Sequence, residues 1–97
     1  MGRPISNRLK RETKTLRQAL GTVVTRLRVE RNWSQGEVSQ KSGYTTEYLG
    51  IVERGKANPS FQLLVVLADI FDIHFSQLLA RAERLHRKQA AKPQAKS

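Results

Sequence analysis

Apolar residues in this chain recur at helical spacing. Leu16, Leu20, Val24 and Leu27 follow one another at intervals of four, four and three, which puts them on one face of a helix. Asn32 supplies a stop just after Arg31. Residues 1–15 hold Gly2, Pro4 and few large apolar groups, and read as a flexible basic arm. Ser34 stands where it caps a second helix, with Glu37 three residues on to complete a capping box. Gly43 closes that helix, because the residue past a helix end commonly takes positive φ. Thr45 or Thr46 caps a third helix that runs to about Arg54 and stops at Gly55. After a turn at Asn58 and Pro59, Ser60 caps a fourth, whose inward face is expected to carry Phe61, Leu64, Leu67, Ala68 and Phe71. A turn at Asp72 leads to a fifth helix, from Phe75 or Ser76, that carries Leu78, Leu79, Ala82 and Leu85. From Lys88 onward the composition is that of a solvated tail. No stretch alternates with period two for long enough to predict a strand. The expectation is an all-α chain of five helices, with an arm over 1–15, a domain over 16–87 and a tail over 88–97.

Charge adds a direction to this picture. The net charge is +10, from 18 Lys and Arg against 8 Asp and Glu. Residues 1–20 carry six cations against Glu12, residues 81–97 carry six against Glu83, and residues 21–80 carry six of each sign. A neutral body between two cationic ends suits a polyanionic partner, since each phosphate neutralised releases condensed counterions. The same ends also serve plain solubility, so charge alone leaves both readings open. There is no cysteine, and His74 and His86 stand too far apart to suggest a zinc site. Neither metal nor cofactor is expected. No carboxylate pair, Ser/His/Asp grouping or phosphate-cradling glycine loop is present, so an enzyme is not expected. The apolar runs are too short for a membrane span, and the basic N-terminus lacks the apolar stretch of a secretory signal. A cytoplasmic, nucleoid-associated protein with no membrane partner is the expectation.

The second and third helices carry the informative feature. They are joined by Gly43, Tyr44 and Thr45, and a short glycine-containing turn between two helices is the mark of a helix-turn-helix. In that motif the second helix enters the major groove with its N-terminal residues towards the base edges. Val38, Leu49 and Val52 are placed to hold the two helices together, and Trp33 to cover the seam. Thr45, Thr46 and Glu47 are then left pointing outward.

Over residues 20–79 the sequence resembles the Cro/C1-type, or XRE, family of helix-turn-helix regulators. The resemblance rests on Ser34-Gln35 opening the second helix, Ser42-Gly43 in the turn, and Glu53-Arg54-Gly55 ahead of Asn58-Pro59. It implies a Cro/C1 repressor-like fold and a sequence-specific regulator of transcription that binds double-stranded DNA. By position, it implies a phosphate contact for Gln35 at the start of the second helix, where free amides also favour an anion. Thr45 also becomes a phosphate contact at the turn, Thr46, Glu47 and Ile51 face bases, and Arg54 and Lys56 touch phosphates beyond. Arg28 and Glu53 match an ion pair that ties the first helix to the third. Gly36, Ser39 and Gly50 depart from the family's usual residues. Gly50 either permits close approach, to the partner helix or to DNA, or weakens its helix. Ser39 is placed to bond a carbonyl of its own helix.

Other residues keep more than one reading. Glu47 either accepts from the N4 amino group of cytosine, favours the helix N-terminus by its charge, or pairs with Arg54 or Lys56. Tyr48 either packs at the turn beside Tyr44 or reaches a phosphate. His74 reads as a solvent-facing helix start. On the fourth helix Leu63, Val66 and Ile70 form a second apolar stripe, which Leu78 and Ala82 join, and a helix apolar on two sides packs on a partner in so small a domain. A homodimer on a near-palindromic operator follows, with half-sites roughly 34–36 Å apart. Arg3 and Arg8 in the arm are the candidates for reaching into a groove. Repression by promoter occupancy is the expected mode, with RNA polymerase or another protein as a further partner. The alternative is an antitoxin-like protein-interaction module that binds DNA secondarily, and a nonspecific architectural protein is a third reading.

Overall fold

Hydroxyl caps divide the chain. Ser6, Ser34, Thr45 and Ser60 each take an extended backbone and accept a hydrogen bond from the amide three residues on. Each opens one of the first four helices in a computed structural model that describes residues 4–91. These are α1 (Asn7–Glu30), α2 (Gln35–Ser42), α3 (Thr46–Glu53) and α4 (Phe61–Ile70), followed by α5 (Phe75–Ala91). At α5 the backbone amide of exposed His74 donates to Gln77 Oε1 at 2.8 Å. Asn32 and Asp72 both take φ of 58°, which turns the chain after α1 and after α4. Among the described residues there is no strand, and the fold is the all-α, Cro/C1-like one.

The first helix starts well before Leu16. Residues 7–15, expected as an arm, are helical, because Ser6 caps them and they are rich in Arg, Lys and Glu, which favour helix. Arg8 pairs with Glu12 one turn on at 2.9 Å. This extension packs along α5, where Thr15 Oγ1 meets His86 Nε2 at 2.8 Å. Residues 88–91, expected in the tail, continue α5. Arg3 lies outside the described residues, as do 92–97 of the tail.

The core is built from one face of each helix. Leu20, Val24 and Leu27 of α1 meet Val38, Leu49 and Val52 of the α2–α3 pair, closed by α4 and α5. Trp33 stacks on buried Phe71 at 6.0 Å, with Lys41 Nζ 4.6 Å from the indole. Leu16 is exposed rather than inward. The face of α4 is also not the expected one. Leu63 is fully buried, whereas Phe61 is 71% exposed and Leu64 only half-buried. Phe71 and Leu67 set the register, and Leu63 lies one further turn along the same line. Leu63, Leu78 and Ala82 are therefore core residues and not a dimer surface, while Val66 and Ile70 are half-buried. What α4 and α5 leave exposed is Phe61, Val65 and Leu79. No single helix among the described residues is long and apolar enough to cross a membrane.

Backbone meets backbone where α1 crosses the end of α3. A Cβ on Gly21 would stand 2.5 Å from the carbonyl oxygen of Glu53 and 2.6 Å from that of Val52. Gly36, by contrast, is exposed, and a Cβ there would meet only Ser34 Oγ at 3.5 Å. Alanine at these two positions is expected to act in opposite directions. Gly21→Ala should destabilise by about 1–3 kcal/mol through overpacking, and Gly36→Ala should stabilise by up to about 1 kcal/mol through helix propensity. Thermal unfolding of both variants checks this, and equal shifts would contradict the close approach.

Candidate nucleic-acid interface

The orientation of α3 is fixed first by its connection to α2. Ser34 Oγ accepts from the Glu37 amide at 3.0 Å, and Glu37 Oε1 accepts from the Ser34 amide at 2.8 Å, a closed capping box. The helix ends at Gly43, whose φ of 83° is the left-handed conformation that glycine takes without steric cost. Ser39 does not bond its own helix. Its hydroxyl donates to the Tyr44 carbonyl at 2.6 Å and ties α2 to the turn. Thr45 Oγ1 accepts from the Tyr48 amide at 3.1 Å and starts α3. Val38, Leu49 and Val52 bury one face of the pair.

The opposite end of α3 is held by charge. Arg28 Nε and Nη2 donate to the two carboxylate oxygens of Glu53 at 2.8 and 3.0 Å, a bidentate pair. Arg28 Nη1 also donates to the Trp33 carbonyl at 2.9 Å. Gln35 Nε2 donates to Glu53 Oε1 at 2.9 Å, so α1, α2 and α3 meet on one carboxylate. Burial alone would raise the Glu53 carboxyl, but the hydrogen bonds of Arg28 and Gln35 and the charge of Arg28 outweigh it and hold it below the ordinary carboxylate range. The hydrogen bond to Glu53 raises the Arg28 guanidinium, against the opposing effect of burial.

With its inner face buried and its end clamped, α3 presents Thr46, Glu47 and Ile51 to solvent. These three line a shallow open concavity of about 590 Å³ together with Gln35, Gly50 and Arg54. A Cβ on Gly50 would stand 3.2 Å from Arg54 Nη1, the movable end of that side chain, and in ordinary contact with Gln35 Oε1 at 3.6 Å. Lys56 follows and is exposed. Among the described residues Glu47 pairs with neither Arg54 nor Lys56. Tyr48 is half-buried, with its ring 5.8 Å from that of Tyr44. Arg8 is on the α1 extension, apart from this cluster and paired with Glu12.

Two positioning residues were missed in the sequence reading. Arg17 Nε donates to the Gly55 carbonyl at 2.9 Å and its Nη1 to Asn58 Oδ1 at 2.8 Å, which seats the α3–α4 connection on α1. Its position on a basic stretch hid this role. Gly21 lets α1 lie against α3, and a lone glycine inside an apolar helical stripe is a signal for such packing.

Comparison with known proteins bears on the family and the fold. The profile of the helix-turn-helix family matches residues 24–78. A relative from Sinorhizobium fredii, described as the uncharacterized HTH-type transcriptional regulator y4dJ, is 34% identical over 64 residues, which span 66% of this chain and 83% of that protein. The crystal structure of the clp gene regulator ClgR from Corynebacterium glutamicum superposes with a TM-score of 0.74 at 28% identity, covering 78% of this chain and 81% of that one.

The clamp yields a pH-dependent expectation. Because Glu53 titrates below its unfolded value, its contribution is present above the ordinary carboxylate range and lost as pH falls through the folded value. Glu53→Gln leaves the half-buried Arg28 with a weaker partner and should cost about 1–3 kcal/mol at neutral pH. The variant should also lose part of the acid-induced fall in stability. Denaturant melts of both proteins from neutral to acid pH check this, and parallel curves would contradict it.

Proposed function

Since the chain belongs to the Cro/C1-type helix-turn-helix family of transcriptional regulators, we propose that it represses transcription as a homodimer seated on an inverted-repeat operator. The observation that carries this reading is the outward row of Thr46, Glu47 and Ile51 on a helix whose other face and far end are fixed. In this reading α3 lies in the major groove. Glu47, with no ion pair to Arg54 or Lys56, accepts from a cytosine N4 amino group, and half-exposed Ile51 meets a thymine methyl. Thr46 completes the base-facing set. Gln35, Thr45, Arg54 and Lys56 face phosphates. Tyr48 supplies packing against Tyr44. Arg8 supplies positive potential from the surface of α1.

The proposed two-fold contact uses the apolar surface that α4 and α5 leave open. Phe61, Val65 and Leu79 remain exposed, and the adjoining cleft of about 500 Å³ is lined by Leu16, Leu64, Leu79 and Pro59. It borders Asn58 and Pro59, just beyond α3, which suits a dimer that sets two recognition helices on one side. The protein acts by occupancy and needs neither cofactor nor catalysis.

Selection of bound duplexes from a random pool should recover an inverted repeat. On that duplex Thr46→Ala and Glu47→Ala should each cost about 1–3 kcal/mol and relax base preference. Arg54→Gln and Lys56→Gln should weaken every duplex alike and each lower the salt slope by about one. Equal losses on selected and random DNA for the first pair would reject their role in readout, and recovery of no repeat would reject the dimeric operator.

A further inference from the structure

A second charged surface lies between α1 and α5. Gln18 packs on Gly55, Gly21 on Val52 and Glu53, and Arg28 on Glu53, which defines the side of α1 turned to α3. At 3.6 residues per turn, Val23, Arg26 and Glu30 stand about 120–180° around the helix from that side. There, a cleft of about 240 Å³ opens between α1 and α5. Its rim carries Arg26, Arg81, Arg84 and Lys88, with Glu30 as the single carboxylate. None of the four cations forms an ion pair among the described residues. Arg81, Arg84, Leu85 and Lys88 fall at i, i+3, i+4 and i+7, so half-buried Leu85 sits within the cationic stripe.

The charge at this cleft is not available to a duplex seated on α3. The body of α1, about 10–12 Å across with its side chains, stands between them. A bare polyanion also has no use for the apolar floor. We propose that the α1–α5 cleft docks an acidic, amphipathic peptide segment of a protein partner. Its carboxylates meet Arg26, Arg81, Arg84 and Lys88, and one apolar side chain rests on Leu85. Like-charge crowding of four cations around one carboxylate is relieved when acidic groups arrive. The cleft shares no residue with the α3 surface, but assigning its charge to a partner other than DNA rests on the proposed seating of a duplex on α3.

The test uses the full chain free of DNA, so that no excess polyanion competes with the probe for the cleft. The probe is a fluorescein-labelled peptide of Asp and Glu residues around a central Leu, followed by anisotropy. Arg81→Gln combined with Arg84→Gln should weaken peptide binding about tenfold or more. Replacing the peptide's Leu with Ser should weaken it about fivefold. Duplex affinity of the double variant should stay within about twofold of the parent. Circular dichroism checks that the variant remains folded. The proposal is overturned if the parent fails to bind the peptide or the double variant binds it equally well. It is also overturned if the Ser peptide binds as tightly as the Leu peptide, or if peptide and duplex affinities fall together.

Discussion

The bidentate pair between Arg28 and Glu53 is the constraint on which the rest depends. It draws the end of α1 and, through Gln35, the start of α2 onto one carboxylate at the end of α3, while Arg28 also donates to the Trp33 carbonyl. Such a pair is poor at adding stability, because desolvating both ions offsets most of their attraction. What it does well is fix direction. The planar guanidinium accepts a carboxylate in few geometries, so the end of α3 is held in orientation as well as position. Gly21 belongs to the same device, because any side chain there would strike the carbonyls of Val52 and Glu53 and push α3 away from Arg28. Gly50 gives up helix propensity, and a Cβ there would crowd only the movable end of Arg54.

Much of this was legible in the residues. Ser34, Thr45 and Ser60 mark helix starts because a hydroxyl at that place satisfies an amide that has no partner in the helix. Gly43 marks the turn because its φ is positive. These signals are local, and the architecture they define matches the structure closely from α2 to the start of α5. The failures share one cause, the need for non-local information. On α4 nearly every residue is apolar, so periodicity cannot choose a face, and the choice falls to Phe71 and its stacking on Trp33. That choice turns Leu63 inward and Phe61 outward. Leu78 and Ala82 of the amphipathic α5 were assigned to a partner rather than to the core, a choice that only the packing of α5 on the other helices decides. The extension of α1 has only a weak apolar stripe and is held by Ser6, by helix-favouring residues and by α5. Gln35 was legible in type and place, but its bond to Glu53 depends on how α2 and α3 cross.

Charge is sorted by face as well as by sequence. The segment from 21 to 80 is neutral, yet its carboxylates are used unevenly. Glu53 is taken up by the clamp, Glu37 by a cap, and Glu30 lines the cleft beside α5. Arg54 and Lys56 are left at the end of α3 with no carboxylate paired to them among the described residues. The cations of α5 are separated from that end by α1 itself. A single net charge thus becomes two positive surfaces that face different ways, and one small body has room for two kinds of anionic partner.

The central claim is that the Arg28–Glu53 clamp presents the N-terminal half of α3 to the base edges of a duplex. Amide chemical-shift mapping of the full chain, titrated with a duplex recovered by selection, tests it most directly. The account predicts the largest shifts at Gln35, across Thr45 to Ile51, and at Arg54 and Lys56, with Arg81 and Arg84 unmoved. Shifts concentrated on α4 and α5, with α3 silent, would contradict it.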